Sequence, residues 1–513
     1  MYPALIQALQ HSACYPHSVQ EPIKVIETQV SWLLLTGQFA YKVKKTLDFG
    51  FLDFSTLEKR QYYCEEELRL NQRLAPDIYL QVMKICPCDG GYTLEPHDYA
   101  CEREAVEYAV QMTQFDAEKD LDKMLAEGVF EDYWADQLAR QVGNFHLQVP
   151  KVTVSSPWGE ADNIWQLVQD NYTHCLAYCE DRSELARLEA LHNTAIDQYQ
   201  QLLPLLQERK TQGFVRECHG DLHLANVTLY KDQLRLFDCI EFNLQFRWID
   251  TFCDFAFLLM DLEANGRFDL ANRALNHYLS FTGDYQGLTL LRFYKSFRSM
   301  IRAKVATLGP QANSQTFNHY LSLTEGYQQT HSPRIILMHG LSGSGKSYLS
   351  LKMIERSQVV RIRSKTERKR LHKELTKRGK QIELHSPEVN ARLSQHLLSL
   401  TQLMISLGYS VIVDGTFLKQ HFRQKYRDLA QQLDVPLRII SCLCDEKLMA
   451  ARLHKPQDSH TLSEEQRLLR LQSQLQHAQP LTDEELNWAD IVHSDSDSEV
   501  VNFLQRFARE NRK

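Results

Sequence analysis

Cys218-His219-Gly220-Asp221-Leu222-His223-Leu224-Ala225-Asn226-Val227 is the stretch on which the reading of this 513-residue chain turns. Asn226 follows Asp221 by five residues, and Asp238, in Leu236-Phe237-Asp238-Cys239-Ile240-Glu241-Phe242, follows Asn226 by twelve. Transfer of a phosphoryl group asks little covalent chemistry of a protein; it asks for positioning, metal and neutralised charge. A carboxylate must orient the attacking hydroxyl, and Asp221 fits that role. An amide and a second carboxylate must hold magnesium on nucleotide phosphates, and Asn226 and Asp238 fit those. One isolated Asp would be ordinary turn chemistry. His219, Gly220, Asp221, Asn226 and Asp238 together form an H-x-D-x-x-x-x-N then D pattern.

In kinase-like catalytic loops this pattern goes with a phosphate-contacting lysine on a strand and a glutamate on the next helix. Trp32-Leu33-Leu34-Leu35, the turn Thr36-Gly37-Gln38 and Phe39-Ala40-Tyr41-Lys42-Val43-Lys44 read as a hairpin. Ala40 and Lys42 fall on one face, as in the V-A-I-K strand of kinases, so Lys42 is the expected lysine, with Lys44 the alternative. Ser55-Thr56-Leu57-Glu58 reads as a capping box opening a helix to about Leu74, before Pro76. On it, Glu67 shares a face with Leu70 and Leu74 and is the expected partner, ahead of Glu66. No glycine-rich loop precedes Lys42. Glu107 to Met112 alternates like a strand, and residues 131–210 read as mostly helical.

HGDLHLANV followed by LFDCIEF resembles the catalytic and metal loops of the aminoglycoside phosphotransferase family, a branch of the protein-kinase-like fold. The resemblance implies that His219 and Asp221 belong to the catalytic loop and that Lys42 and Glu67 complete the catalytic set. It also matches Asp254 to an Asp that supports that loop, although Asp254 reads equally well as a helix N-cap.

Downstream, Arg334-Ile335-Ile336-Leu337-Met338-His339 is a buried-strand pattern running into Gly340-Leu341-Ser342-Gly343-Ser344-Gly345-Lys346-Ser347. This is G-x-x-x-x-G-K-S in its strand–loop–helix setting. Its glycines let backbone N–H groups face phosphates at a helix N-terminus whose dipole favours anions. Lys346 is expected at the β/γ-phosphates and Ser347 on magnesium. Ser410-Val411-Ile412-Val413 ends in a Walker-B-like Asp414. Strands and helices alternate over Arg334–Met338, Tyr348–Glu355, Val359–Ile362, Gln395–Leu407, Ser410–Val413 and Leu437–Cys442, which predicts a parallel sheet with crossover helices. This half resembles small P-loop kinases of the gluconate-kinase, polynucleotide-kinase and zeta-toxin type. Of Arg423 and Arg452 on the downstream helices, the resemblance places Arg452 in a lid over the phosphates. Two departures stand out. Ser364-Lys365 replaces the Ser-Asp whose carboxylate would activate an acceptor hydroxyl, and Arg452 is followed by His454, Lys455, Pro456 and Ser459-His460 in place of further arginine and acid. The nucleotide side thus reads as intact and the acceptor side as altered. Residues 356–380 carry eleven Lys/Arg, which reads as a solvated helical face, with a phosphorylated or nucleic-acid ligand as the alternative.

The stretch Gly309-Pro310-Gln311-Ala312-Asn313-Ser314 reads as a break, and a polar segment follows to His331-Ser332-Pro333. The expected organisation is an α+β protein-kinase-like domain over 1–330 and an α/β P-loop NTPase domain with a parallel sheet over 331–513. WLLLTGQFAYKVKK, LDFSTLEKR, CEEELRLNQRLAP, EYAVQM, HGDLHLAN, LFDCIEFN and GLSGSGKS together resemble bacterial bifunctional aminoglycoside phosphotransferase/ATP-binding proteins. That resemblance implies ATP and Mg²⁺ as cofactors and a small-molecule hydroxyl as acceptor. The alternatives are an ATP-sensing regulatory protein and 5′-hydroxyl phosphorylation of nucleic acid by the second half. A net charge of −7 argues against a chain built to coat nucleic acid. Twelve scattered cysteines, without paired CxxC units, read as free thiols in a reducing compartment. The longest apolar run, Phe255 to Met260, is far short of the roughly 18 residues of a membrane span. The N-terminus has no basic n-region, so the chain is expected to remain in the cytoplasm.

Overall fold

The computed structural model describes residues 3–98, 103–308, 312–329, 332–377, 382–454 and 463–510. Residues 309–311 of the expected break, 378–380 of the basic run and 455–460 of the expected lid lie outside the described residues. The chain divides into two compact units: Met1–Asn265 with Phe293–Thr324, and Gly266–Arg292 with Glu325–Lys513.

The first unit opens with strands β1 (Lys24–Glu27), β2 (Ser31–Leu35), β3 (Phe39–Lys44), β4 (Tyr79–Cys88), β5 (Gly91–Pro96) and β6 (Glu107–Thr113). They form an antiparallel sheet in the order β1-β2-β3-β6-β4-β5. The β2–β3 hairpin pairs Leu35 with Ala40 and Leu33 with Lys42. The next helix is Leu57–Asn71; its N-cap is Thr56, whose hydroxyl accepts from the Lys59 N–H, rather than Ser55. It ends three residues short of the expected Leu74. Cys64, Ala40, Val82, Val110 and Met112 pack into one core between this helix and the sheet. Helices Asp132–Gln148, Ala161–Tyr178 and Arg182–Gln212 follow. Strands β7 (Val215–Glu217) and β10 (Trp248–Asp250) pair antiparallel, and the hairpin β8 (Val227–Tyr230)–β9 (Gln233–Leu236) lies between them in the chain. The apolar run Phe255 to Met260 is the buried middle of helix Thr251–Ala264. Among the described residues, no helix is long and apolar enough to cross a membrane. The described cysteines are free thiols, most of them buried.

The second unit is a five-stranded parallel sheet: β11 (Ile335–His339), β12 (Val359–Arg363), β13 (Ser410–Asp414), β14 (Leu437–Leu443) and β15 (Ala489–His493), in the order β12-β13-β11-β14-β15. The alternation read from the sequence is present, with β15 added at one edge. The other edge explains why the second unit reaches back across residue 330. Helix Phe268–Thr282 lies against β12, and Asn276 on it donates to Val359 O at 3.0 Å and accepts from the Arg361 N–H at 2.6 Å. Arg273 pairs with Glu355 at 2.9 Å. A side-chain amide thus takes the place of a neighbouring strand at an edge that would otherwise be open. Asn276→Ala is expected to strip both partners from buried backbone groups and cost about 1–3 kcal/mol. Thermal unfolding of the full chain checks this, and an unchanged transition would overturn the role.

Candidate functional site

Lys42 and Lys44 are two residues apart on β3, so both side chains leave the same face of the sheet. Lys42 Nζ lies 2.7 Å from Glu67 Oε1 and 2.6 Å from Asp238 Oδ1. Lys44 Nζ lies 2.6 Å from Glu67 Oε2 and pairs also with Glu241. Glu67 is 0% exposed and is shared between the two lysines. Glu66, one residue earlier, turns instead to Arg69 and Arg247, at 2.8 and 2.9 Å. Burial alone would raise the Glu67 carboxyl, but Lys42 and Lys44 outweigh it and hold it at about 2. Burial pushes the other way on Lys42, and Asp238 and Glu67 overcome it, keeping the ammonium charged. Glu241 is raised by burial and by Glu67 beside it, with Lys44 opposing. Glu241 was not among the expected site residues; its position three residues after Asp238 was the only signal in the sequence.

The loop bearing Asp221 is held by its backbone. Gly220 has φ of 89°, and a Cβ there would come within 2.8 Å of Phe246 O. Asp254 accepts from the His219 N–H at 3.1 Å, the Gly220 N–H at 2.8 Å and His146 Nε2 at 3.0 Å. The N-cap of that helix is Asp250, which accepts from the Phe252 N–H. Asp254 is therefore a support of the loop. Asp261 accepts from the Leu224 N–H at 2.8 Å, and Arg298 donates to Gly220 O at 3.1 Å. The ligand atoms of His146, Cys218 and Asp254 lie within 4.8 Å of one another, but both Asp254 oxygens are already engaged by the three donors above.

His219 is fully buried, with Nε2 2.9 Å from Phe237 O and Nδ1 accepting from the Asp221 N–H at 3.3 Å. It braces the loop against the strand leading to Asp238. Asn226 Nδ2 donates to Asp221 O and Oδ2 at 2.9 and 3.1 Å, which leaves its Oδ1 available. His223 Nε2 is 3.2 Å from Asp221 Oδ2. Burial would raise Asp221, but His223, His219 and Arg298 outweigh it and keep the carboxyl well below its ordinary range. Asp238 sits at φ of 63°, in the left-handed region, with its side chain 45% exposed. Backbone held in that region is uncommon outside glycine and concentrates where a side chain must be aimed. Tyr79 Oη accepts from the Asp238 N–H and Asn71 Oδ1 from the Cys239 N–H.

In the second unit, Gly340 to Ser347 runs from β11 into helix Lys346–Ile354. Gly340 has φ of 133°, and a Cβ would meet Cys442 O at 2.5 Å. Gly345 caps the helix in the left-handed conformation. Lys346 Nζ curls back onto Leu341 O, Ser342 N–H is held by Gln474, and Ser344 is buried. Ser347 Oγ lies 3.4 Å from Asp414 Oδ1. Arg452 Nη1 donates to Gly343 O at 3.1 Å and Nη2 to Ser494 O at 3.3 Å, so it grips the loop itself. Arg423 is buried in an ion pair with Glu485 at 2.7 Å. The basic run is not uniform. Arg361 is buried and donates to Ser347 O, Arg370 pairs with Glu367, and Lys365 is exposed on the first turn of helix Ser364–Lys377.

Lys346 is 8% exposed, and burial pushes its ammonium down to about 8, with Arg470 adding to the effect. A bound polyphosphate would supply the missing counter-charge and raise it. Nucleotide affinity at this loop is therefore expected to be level below about pH 7 and to weaken as pH rises through about 8, because binding then requires proton uptake. Titration of a fluorescent ATP analogue between about pH 6.5 and 9.5 checks this, with Lys346→Arg losing the dependence.

The sequence profile of the AAA domain family matches residues 335–481. An uncharacterized protein of Mycobacterium tuberculosis is 28% identical over 454 residues, which cover 86% of this chain and 88% of that one. A Mycobacterium bovis protein matches to the same extent. Among solved structures, the chain is similar to an aminoglycoside phosphotransferase from Alicyclobacillus acidocaldarius, at 12% identity over 64% of this chain and 94% of that one, with a TM-score of 0.40. It is similar to choline kinase from Cryptosporidium parvum at 11% identity over 63% and 95%, with a TM-score of 0.39. A gluconokinase from Sinorhizobium meliloti covers 35% of this chain and 96% of its own at 20% identity, with a TM-score of 0.25. Residues 335–481 are thus an AAA-type P-loop domain, in a chain that shares most of its length with the mycobacterial proteins.

Proposed function

We propose that the first unit transfers the γ-phosphoryl group of ATP to a hydroxyl of a small molecule, and that the second unit binds ATP at its P-loop. The observation that carries the reading is Lys42 held between Glu67 and Asp238, in a unit that also fastens Asp221 to Asn226. Lys42, kept charged by its neighbours, meets the phosphates, while Glu67 and Lys44 fix its direction. Asp221, ionised at neutral pH, orients the acceptor hydroxyl and takes its proton as the new P–O bond forms. His219 and Asp254 position that loop without touching substrate. Asn226 Oδ1 and the second oxygen of Asp238 are hard donors of the kind magnesium takes, and Ser347 Oγ beside Asp414 is a second such set. Magnesium, when bound, neutralises phosphate charge. The motifs from WLLLTGQFAYKVKK to GLSGSGKS support membership of the bifunctional aminoglycoside phosphotransferase/ATP-binding family.

For the second unit, binding without rapid transfer is favoured. Lys365 is exposed, and among the described residues no carboxylate lines the cavity beside the P-loop to act as a base for an acceptor. ATP sensing by this unit is the second reading, and it rests on that observation. The same lack disfavours 5′-hydroxyl phosphorylation of nucleic acid. The test is ATP consumption by the full chain over a library of hydroxylated metabolites and aminoglycosides, with Asp221→Asn as control. Turnover that survives in Asp221→Asn and is lost in Lys346→Ala would move the chemistry to the second unit and overturn the assignment.

A further inference from the structure

The second unit contains a cavity of about 400 Å³ next to its P-loop, within the size range of small-molecule sites. Gly415 and Thr416, which directly follow Asp414, line it. So does Gln474, whose Oε1 accepts from the Ser342 N–H of the P-loop at 2.8 Å. The cavity and the phosphate loop are therefore neighbours.

Its walls have two characters. Leu393, Phe417, Phe422 and Tyr426 are apolar lining residues, with Phe417 and Tyr426 in edge contact at 5.2 Å and 89°. Arg368 and Lys419 also line it, and among the described residues no Asp or Glu does. Arg368 is one helical turn after Ser364, so these two line the cavity while Lys365 between them does not. The Arg368 guanidinium donates to Asn390 Oδ1 and has no carboxylate partner among the described residues. Burial and Arg470 both push it below its ordinary range. Arg470 is solvent-accessible, and its charge also bears on Lys346 and on His385, which burial, Arg368 and Arg470 together push down to about 4. Elsewhere in this unit Arg423 is matched by Glu485 and Arg370 by Glu367. Among the described lining residues, Arg368 and Lys419 thus stand in one cavity with no carboxylate beside them. A bound anion would supply the counter-charge that these lining residues lack.

We propose that this cavity binds an anionic small molecule with a planar body, of the nucleoside monophosphate class, its phosphate at Arg368 and its ring against Phe417 and Phe422. The inference uses the proposed nucleotide reading of the second unit only in taking the adjacent P-loop as the triphosphate site. Arg368 supplies a fork suited to a phosphate, and the aromatic wall supplies a face for a base. Lys365, outside the cavity, is not needed.

The experiment is calorimetry on the full chain with magnesium and a saturating non-hydrolysable ATP analogue, titrating AMP, GMP, CMP and UMP, and then the matching nucleosides. Saturation with the analogue keeps the monophosphates out of both triphosphate sites. At least one monophosphate is expected to bind, its nucleoside at least about tenfold more weakly, and Arg368→Ala to weaken it at least about tenfold, the scale of a lost charged hydrogen bond. Arg368→Lys should fall between, and an unchanged melting temperature shows that the variants fold. Absence of monophosphate binding, equal binding of the nucleoside, or indifference to Arg368→Ala would each overturn the proposal. Failure of the analogue to bind would count against the P-loop reading alone, and the monophosphate titrations are then read without it.

Discussion

Asp221→Asn is expected to lower phosphoryl transfer by about 10²–10⁴, the usual weight of a positioned acid–base group, with nucleotide binding retained. The amide keeps the shape of the side chain and can still accept from Asn226 Nδ2, whose present distance to Asp221 Oδ2 is 3.1 Å. What disappears is the negative charge that His223, His219 and Arg298 sustain against burial. Because that carboxyl is held well below its ordinary range, the pH–rate profile should show no acid limb from Asp221 between about pH 5 and 7. Steady-state kinetics on the acceptor found by screening checks both statements. Equal turnover by wild type and variant would remove Asp221 from the mechanism.

Glu67→Ala is expected to produce the largest loss of stability in the first unit. The substitution leaves Lys42 and Lys44 buried without their shared counter-ion, and breaking a buried ion pair from one side costs about 3–5 kcal/mol. Glu67→Gln keeps the volume and isolates the charge. The sign of the pH dependence follows from the depressed carboxyl. Glu67 ionises at about 2 in the folded chain against about 4.3 unfolded, so its contribution is complete above about pH 4.3 and is lost as pH falls towards 2. Wild type should therefore lose part of its margin over Glu67→Gln on going from neutral pH to about pH 3. Denaturant unfolding at the two pH values measures this. A constant difference between the two proteins would show that Glu67 acts through packing alone.

Much of the first unit's sheet was hidden in the sequence. Strands β4 and β5 are not among the strands expected from the sequence: Cys86-Pro87-Cys88 forms the end of β4, where a proline argues against a strand. The signal was present in Asp89-Gly90, a hairpin turn dipeptide, with Gly90 at φ of 91°. Helix Ser364–Lys377 lies in the run that reads as a solvated helical face; it is helical, but its many polar residues mask the burial of Glu367 and Leu375. By contrast, the P-loop and the Asp221 loop were legible residue by residue. Their geometry depends on glycines and side chains within a few positions of one another, and spacing along the chain records that directly.

The sequence by itself determined that this chain carries two loop motifs, one of the H-x-D-x-x-x-x-N kind and one of the G-x-x-x-x-G-K-S kind, the second running out of a buried strand. The sequence ranked Lys42 ahead of Lys44 and Glu67 ahead of Glu66; only the tertiary structure decided that Lys42 meets Asp238 while Lys44 meets Glu241, that Glu67 receives both lysines, and that Asp254 supports the loop while Asp250 caps the helix. It also decided that residues 266–292 complete the second unit through Asn276. The physical reason is the same in each case. Periodicity assigns a residue to a face of a strand or helix, but its partner comes from an element distant in the chain, 196 residues away for Lys42 and Asp238. Which charge a buried lysine finds is settled only when those elements pack and water leaves between them.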